Sequence, residues 1–116
     1  MEKVVHYTEI KCEEVKAENA KNIRIRWLIS KKDGAPNFAM RLFETDRNGN
    51  SPYHQHPWEH EIFILEGEGK LIVEDREYNI KEGYAIYIPP NLKHTIKNTG
   101  EGKLKFICII PVISIK

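Results

Sequence analysis

The chain has 116 residues, 41% of them hydrophobic, and its 18 basic residues nearly cancel 17 acidic ones for a formal charge of +1. That length supports a single domain over 1–116 whose core needs no disulfide staples. Interspersed charge signs leave no basic stripe for nucleic acid. The longest apolar run, Phe106 to Ile115, is too short to span a membrane and is interrupted by Pro111.

The first ten residues lack the basic start, long apolar run and small-residue cleavage site of a secretory signal. A cytoplasmic protein is therefore expected, with Cys12 and Cys108 as reduced thiols. His6 reads as an ordinary strand residue. Cys12 to Lys21 is the one stretch with any helical character, but its apolar positions are too sparse, so a loop or single turn is expected. Turn signals then recur at short intervals: Asp33-Gly34, Asn48-Gly49-Asn50, Gly67-Glu68-Gly69, Asp75-Arg76, Glu82-Gly83, Pro90-Asn91 and Gly100-Glu101-Gly102. Runs of β-branched and aromatic residues separate them, which predicts an all-β sandwich or barrel. The Gly67-Glu68-Gly69 segment lacks the third glycine and following helix of a phosphate loop and reads as a hairpin turn.

Strand faces follow from alternation. The segments around Trp27, from Phe38, from Glu61 and from Gly83 are apolar on both faces, which calls for a second packing surface beyond the core. A homodimer interface is the simplest one, with the terminal strands taking part and Val112 to Ile115 adding an edge strand. In Lys93 to Asn98, His94 and Ile96 face inward, opposite Lys93, Thr95 and Lys97. Likewise Leu104, Phe106, Cys108 and Ile110 oppose Lys103 and Lys105.

Three of the five histidines, His54, His56 and His60, lie within seven residues, and His94 is a fourth. Imidazole is the commonest protein ligand for transition metals. Two histidines separated by one residue share a strand face, and one from a distant inward strand would complete a half-shell around an ion. The competing reading is a solvated, pH-sensitive loop beside one hydrogen-bonded core histidine. His94 favours the metal, because its lysine neighbours turn it inward before any ion is assumed.

The order Gly83, Pro89, Asn91, His94, Asn98 resembles the second motif of the cupin family. His54, His56 and Gly67 match the first motif, whose opening glycine falls one position off at Gly49. Together the motifs cover 49–98. His60 stands where most cupins carry glutamate; Glu61 would fit only with a shifted spacing and is expected to face away. More closely, the stretches DGAPNFAMRLF, HPWEHEIF and FICIIP resemble small four-histidine, manganese-binding monocupins of hyperthermophilic bacteria. A charged fraction of 30% fits such a source.

The resemblance implies a double-stranded β-helix, or jelly-roll barrel, in a homodimer. It implies His54, His56, His60 and His94 as ligands, and Arg41, Trp58, Phe106 and Cys108 near the substrate pocket. It also implies a dioxygenase-like oxidoreductase. On the family evidence the ion is manganese, whereas ligand softness favours copper, nickel or zinc, and iron is a further possibility. Replacing a carboxylate ligand by imidazole leaves the ion its full charge and makes it a stronger Lewis acid, suited to a small unsaturated or enolisable substrate. A non-catalytic module that binds a small ligand or metal is the alternative. Roles within the pocket stay open. Arg41 either anchors an anion or forms a surface or interface ion pair. Cys108 is either a redox-sensitive neighbour of the ion or a small core residue. Trp58 either walls the pocket mouth or packs its loop, and Phe106 is core that also lines the cavity.

Overall fold

The computed structural model describes residues 1–114. Nine strands carry the fold: β1 (Glu13–Glu14), β2 (Lys21–Ile29), β3 (Phe38–Asn50), β4 (His60–Glu66), β5 (Glu68–Val73), β6 (Arg76–Lys81), β7 (Ala85–Ile88), β8 (His94–Asn98) and β9 (Leu104–Pro111). They form one sheet in the order β6-β5-β8-β3-β9-β4-β7, with β2 also on β3 and β1 on β2. Every pairing is antiparallel. This is the all-β architecture expected from the turn spacing, in the jelly-roll form that the family resemblance implied.

The sheet curls because β3 changes partners along its length. Phe38 to Thr45 pair with β9, and beyond a bend Asn50 pairs with Lys97 of β8. Asn48 sits at φ 65°, in the left-handed region that asparagine tolerates. A Cβ on the next residue, Gly49, would lie 2.7 Å from the Asn22 carbonyl oxygen and 2.8 Å from that of Lys21. Asn48-Gly49-Asn50 is therefore not a hairpin turn but a bulge inside β3, where the register with β2 slips between Lys21 and Ile23. Bulges and turns ask for the same residues. Gly67, at φ 89°, does make the expected tight link, here between β4 and β5.

Strand β9 alternates as predicted: Leu104, Phe106, Cys108 and Ile110 are buried and point into a core with Ile23, Ile64 and Ile88. Strand β8 departs at Thr95, which is buried rather than solvent-facing. Ser51 covers it, accepting the Thr95 hydroxyl on its carbonyl at 2.6 Å and the Ile96 N–H on its own hydroxyl at 2.9 Å. A lysine on either side could not reveal that a neighbouring loop lies over Thr95.

The termini bring two corrections. His6 is exposed and caps a short 3-10 turn, Tyr7–Glu9, rather than lying in a strand. Val112–Ser114 is a 3-10 turn, not an edge strand, with Val112 buried and its N–H donating to the Asn37 carbonyl at 2.9 Å; Ile115 lies outside the described residues. Residues 12–20 form the expected loop, apart from the two-residue β1, and Lys21 opens β2. The doubly apolar strands leave Phe38, Phe63 and Tyr87 exposed at 68%, 47% and 57% on the outside of the sheet. Among the described residues no helix is long and apolar enough to cross a membrane.

Candidate metal centre and its pocket

The first and last histidines of the cluster are tied together by the backbone. His54 N–H donates to the His94 carbonyl at 3.2 Å, and His94 N–H to the His54 carbonyl at 3.0 Å. His56 is held by its carbonyl, which accepts the Asn91 N–H at 2.6 Å. His60 opens β4 opposite Ile88 of β7, with Glu61 on the outer face as expected.

These anchors place four rings side by side. Centroids lie 4.2 Å apart for His54–His56, 4.7 Å for His60–His94, and 5.6 Å for both His54–His94 and His56–His60. An imidazole nitrogen about 2.1 Å from an ion puts its ring centroid about 3.2 Å away, so rings subtending about 90–120° stand about 4.6–5.6 Å apart. Three of the separations fall in that band and the His54–His56 pair is slightly closer. Among the described residues no three donors are already drawn into a ready ligand cage. Convergence on one point therefore requires side-chain rotation.

Burial lowers the affinity of all four rings for a proton. It brings His54 down to about 4 and His60 to about 3, with smaller contributions from neighbouring histidines and Arg41. His56 and His94 are pushed the same way, chiefly by burial. Neutral imidazole is the form a metal needs. His94 Nδ1 lies 2.9 Å from the Leu92 carbonyl oxygen, which can only accept, so Nδ1 carries the proton and Nε2 the lone pair. His60 Nδ1 is buried without a hydrogen-bond partner. Four neutral imidazoles, one with an orphaned nitrogen, form a donor set that fits a divalent transition metal.

The rings line a cavity of about 320 Å³ whose other walls are largely apolar, among them Ile25, Trp27, Phe43, Ile62 and Phe106. A larger cleft of about 690 Å³ lies elsewhere, between the N-terminal segment and the Lys31–Asp33 turn. Its polar lining is lysine, serine and acidic side chains, including a Lys3–Asp33 ion pair at 3.0 Å, with no histidine or cysteine. The metal-competent chemistry is in the smaller one.

All four pocket residues suggested by the resemblance line this cavity. The Arg41 guanidinium sits over the rings of Phe43 at 5.0 Å and Trp27 at 5.6 Å, and Nη2 donates to Cys108 Sγ at 2.9 Å. Among the described residues it forms no ion pair within the chain. Cys108 is buried, and desolvation pushes its thiol up against ionisation. Trp58 stacks on His56, with centroids 4.4 Å apart and planes within 7°. Phe106 is both core and wall, stacked on Phe43 at 5.1 Å.

Sequence reasoning did not identify Trp27 and Phe43 as walls, although Ile23, Ile25 and Trp27 share a face of β2 and Arg41 and Phe43 a face of β3. Val15 and Ala17, which line the cavity from the irregular N-terminal loop, had no periodic signal to reveal them.

Comparison with known proteins agrees with this architecture. The Cupin domain family matches residues 41–110. An uncharacterised protein of Methanocaldococcus jannaschii is 41% identical over 56 residues, which make up 47% of this chain and 45% of that protein. The match thus spans about half the length of that curated relative. Among solved structures, the polyketide cyclase RemF from Streptomyces resistomycificus is similar at a TM-score of 0.90 and 38% identity, over 97% of this chain and 80% of that one. A predicted oxalate decarboxylase of Thermotoga maritima is similar at 0.84 and 26%, over 94% and 98%.

Proposed function

Because this chain belongs to the cupin family, we propose that its histidine cluster holds one divalent transition metal in a dioxygenase-like oxidoreductase acting on a small unsaturated or enolisable substrate. The observation that carries the reading is the set of four neutral imidazoles, one with an orphaned nitrogen, in the wall of an apolar cavity. His54, His56, His60 and His94 would hold the ion. When bound, the ion would supply Lewis-acid polarisation of a substrate oxygen and a route for electrons. Manganese is the ion favoured by the family resemblance, and iron, copper, nickel or zinc suit the same donors.

The chain's own residues do the rest. Phe43, Phe106 and Ile25 exclude water from the bound substrate and raise the strength of every polar contact inside. Trp58, flat against His56, limits the rotation of that ring. The Leu92 carbonyl keeps His94 in the tautomer that leaves Nε2 free. A cytoplasmic setting, in which Cys12 and Cys108 stay free thiols, belongs to the same reading.

A second reading is favoured by the 38% identity to a polyketide cyclase across 97% of the chain. On that reading the same polarisation of an enolisable carbonyl leads to ring closure without net oxidation.

Both are tested by loading stripped protein with manganese, iron or zinc and offering styrene-like alkenes, enols and 1,3-diketones under isotopically heavy dioxygen. The oxygenase reading expects oxygen uptake and heavy oxygen in the product with manganese or iron, and neither with zinc. Products of unchanged mass, or lighter by one water, with no oxygen uptake would support ring closure. Saturable binding with no product would overturn both in favour of a binding module.

A further inference from the structure

Among the described residues Arg41 is the only formally charged side chain in the cavity wall, and no carboxylate there answers it. Among the described residues no aspartate or glutamate lines the cavity, and Arg41 belongs to none of the ion pairs. One of its N–H groups goes to Cys108 Sγ at 2.9 Å, a weak acceptor, while Nε is buried without any partner. The indole Nε1 of Trp58 is a second donor, equally buried and unpartnered, on the same cavity. The Ser51 hydroxyl is already engaged, accepting the Ile96 N–H at 2.9 Å. A guanidinium Nε–H and an indole N–H kept from water without an acceptor are costly, and the cost falls when a ligand brings oxygens to them. Phe43 and Trp27 hold the guanidinium between ring faces at 5.0 and 5.6 Å, so it is positioned before a ligand arrives.

We propose that the cavity selects a small organic acid and that Arg41 is its specificity-determining residue. Arg41 Nε–H takes a carboxylate oxygen, Trp58 Nε1–H offers a second donor, and the wall of Trp27, Phe43 and Phe106 takes an unsaturated or aryl body. A planar guanidinium matches carboxylate geometry better than lysine would. The inference rests on the reading of this cavity as a substrate site, and its test separates the guanidinium from the metal.

Calorimetric titration at about pH 7.5, where carboxylates are ionised, compares 3-phenylpropanoate and cinnamate with their neutral amides. Stripped wild-type protein is expected to bind the acids at least about tenfold more tightly than the amides, as a charge-assisted hydrogen bond in a dry site allows. Arg41→Met should bring acid and amide to within about twofold, and Arg41→Lys should keep part of the preference. Trp58→Phe retains the ring and removes the donor. It should weaken the acids by at least about threefold and the amides, whose carbonyl is a weaker acceptor, by less, and it provides an independent arm if Arg41→Met does not fold. Equal affinity of acid and amide in wild type, no binding by either acid, or a preference that survives Arg41→Met would each overturn the proposal. A preference that emerges only after manganese loading would overturn it too, assigning the anion to the ion and leaving the metal reading intact.

Discussion

At the residue scale, burial penalises the cationic form of His54, His56, His60 and His94, and pH dependence follows from that. In the unfolded chain these side chains take up protons near about pH 6.5. In the folded chain His54 resists down to about 4 and His60 to about 3. The unfolded state therefore binds more protons in acid. The stability linked to these groups is fully present above about pH 6.5 and is lost as pH falls through the folded values. Metal-free protein is expected to melt several degrees lower at about pH 4.5 than at about pH 7 in scanning calorimetry. Replacing His54 and His60 together with glutamine should flatten that profile, and an equally steep profile in the double variant would refute the assignment. His94 was legible in the sequence because Lys93 and Lys97 face solvent on either side of it. Arg41 was placed near the pocket by the resemblance alone, because it interrupts a segment apolar on both faces and alternation there cannot say which side holds the cavity. Its place inside comes from the ring faces of Trp27 and Phe43, one of them on another strand.

At the scale of elements, strand β3 does two jobs. It brings Arg41 and Phe43 to the cavity, and it bends at Asn48-Gly49 before the chain runs on to His54. The bend depends on a residue without a side chain, since a Cβ at position 49 would also lie 2.7 Å from the Thr45 methyl carbon. Gly49→Ala is expected to cost about 1–3 kcal/mol, read as a lower urea midpoint with unchanged slope. An unchanged midpoint would mean the strand can shift without loss. Strands with one polar face, such as β9, could be oriented from sequence. Away from the termini the misreadings, Thr95 outward and Asn48-Gly49-Asn50 as a turn, fell where another segment packs over a residue or a bulge borrows turn chemistry. Neither leaves a local mark on the pattern.

At the scale of the whole molecule, the outer face of β4, β7 and β9 is apolar apart from Glu61. Phe63 and Tyr87 are 47% and 57% exposed beside Ala85, Ile107 and Ile109, and Phe38 extends the patch at 68%. A contiguous apolar patch on a small protein marks an interaction surface. The expected occupant is a second copy of this chain, in line with the homodimer implied by the family resemblance. Wild-type protein should sediment as a dimer, and Phe63→Glu should shift it to monomer without altering the dichroism of the sheet. A wild-type monomer at all accessible concentrations would remove this assignment. Within the chain, the two mutual hydrogen bonds between His54 and His94 close the long intervening segment, β4 to β7 included, through the backbone alone. On the proposed reading, capture and release would be a matter of turning side chains on a finished scaffold. One ion could then be traded for another without the fold coming apart, so that the metal's identity would answer to supply as much as to architecture.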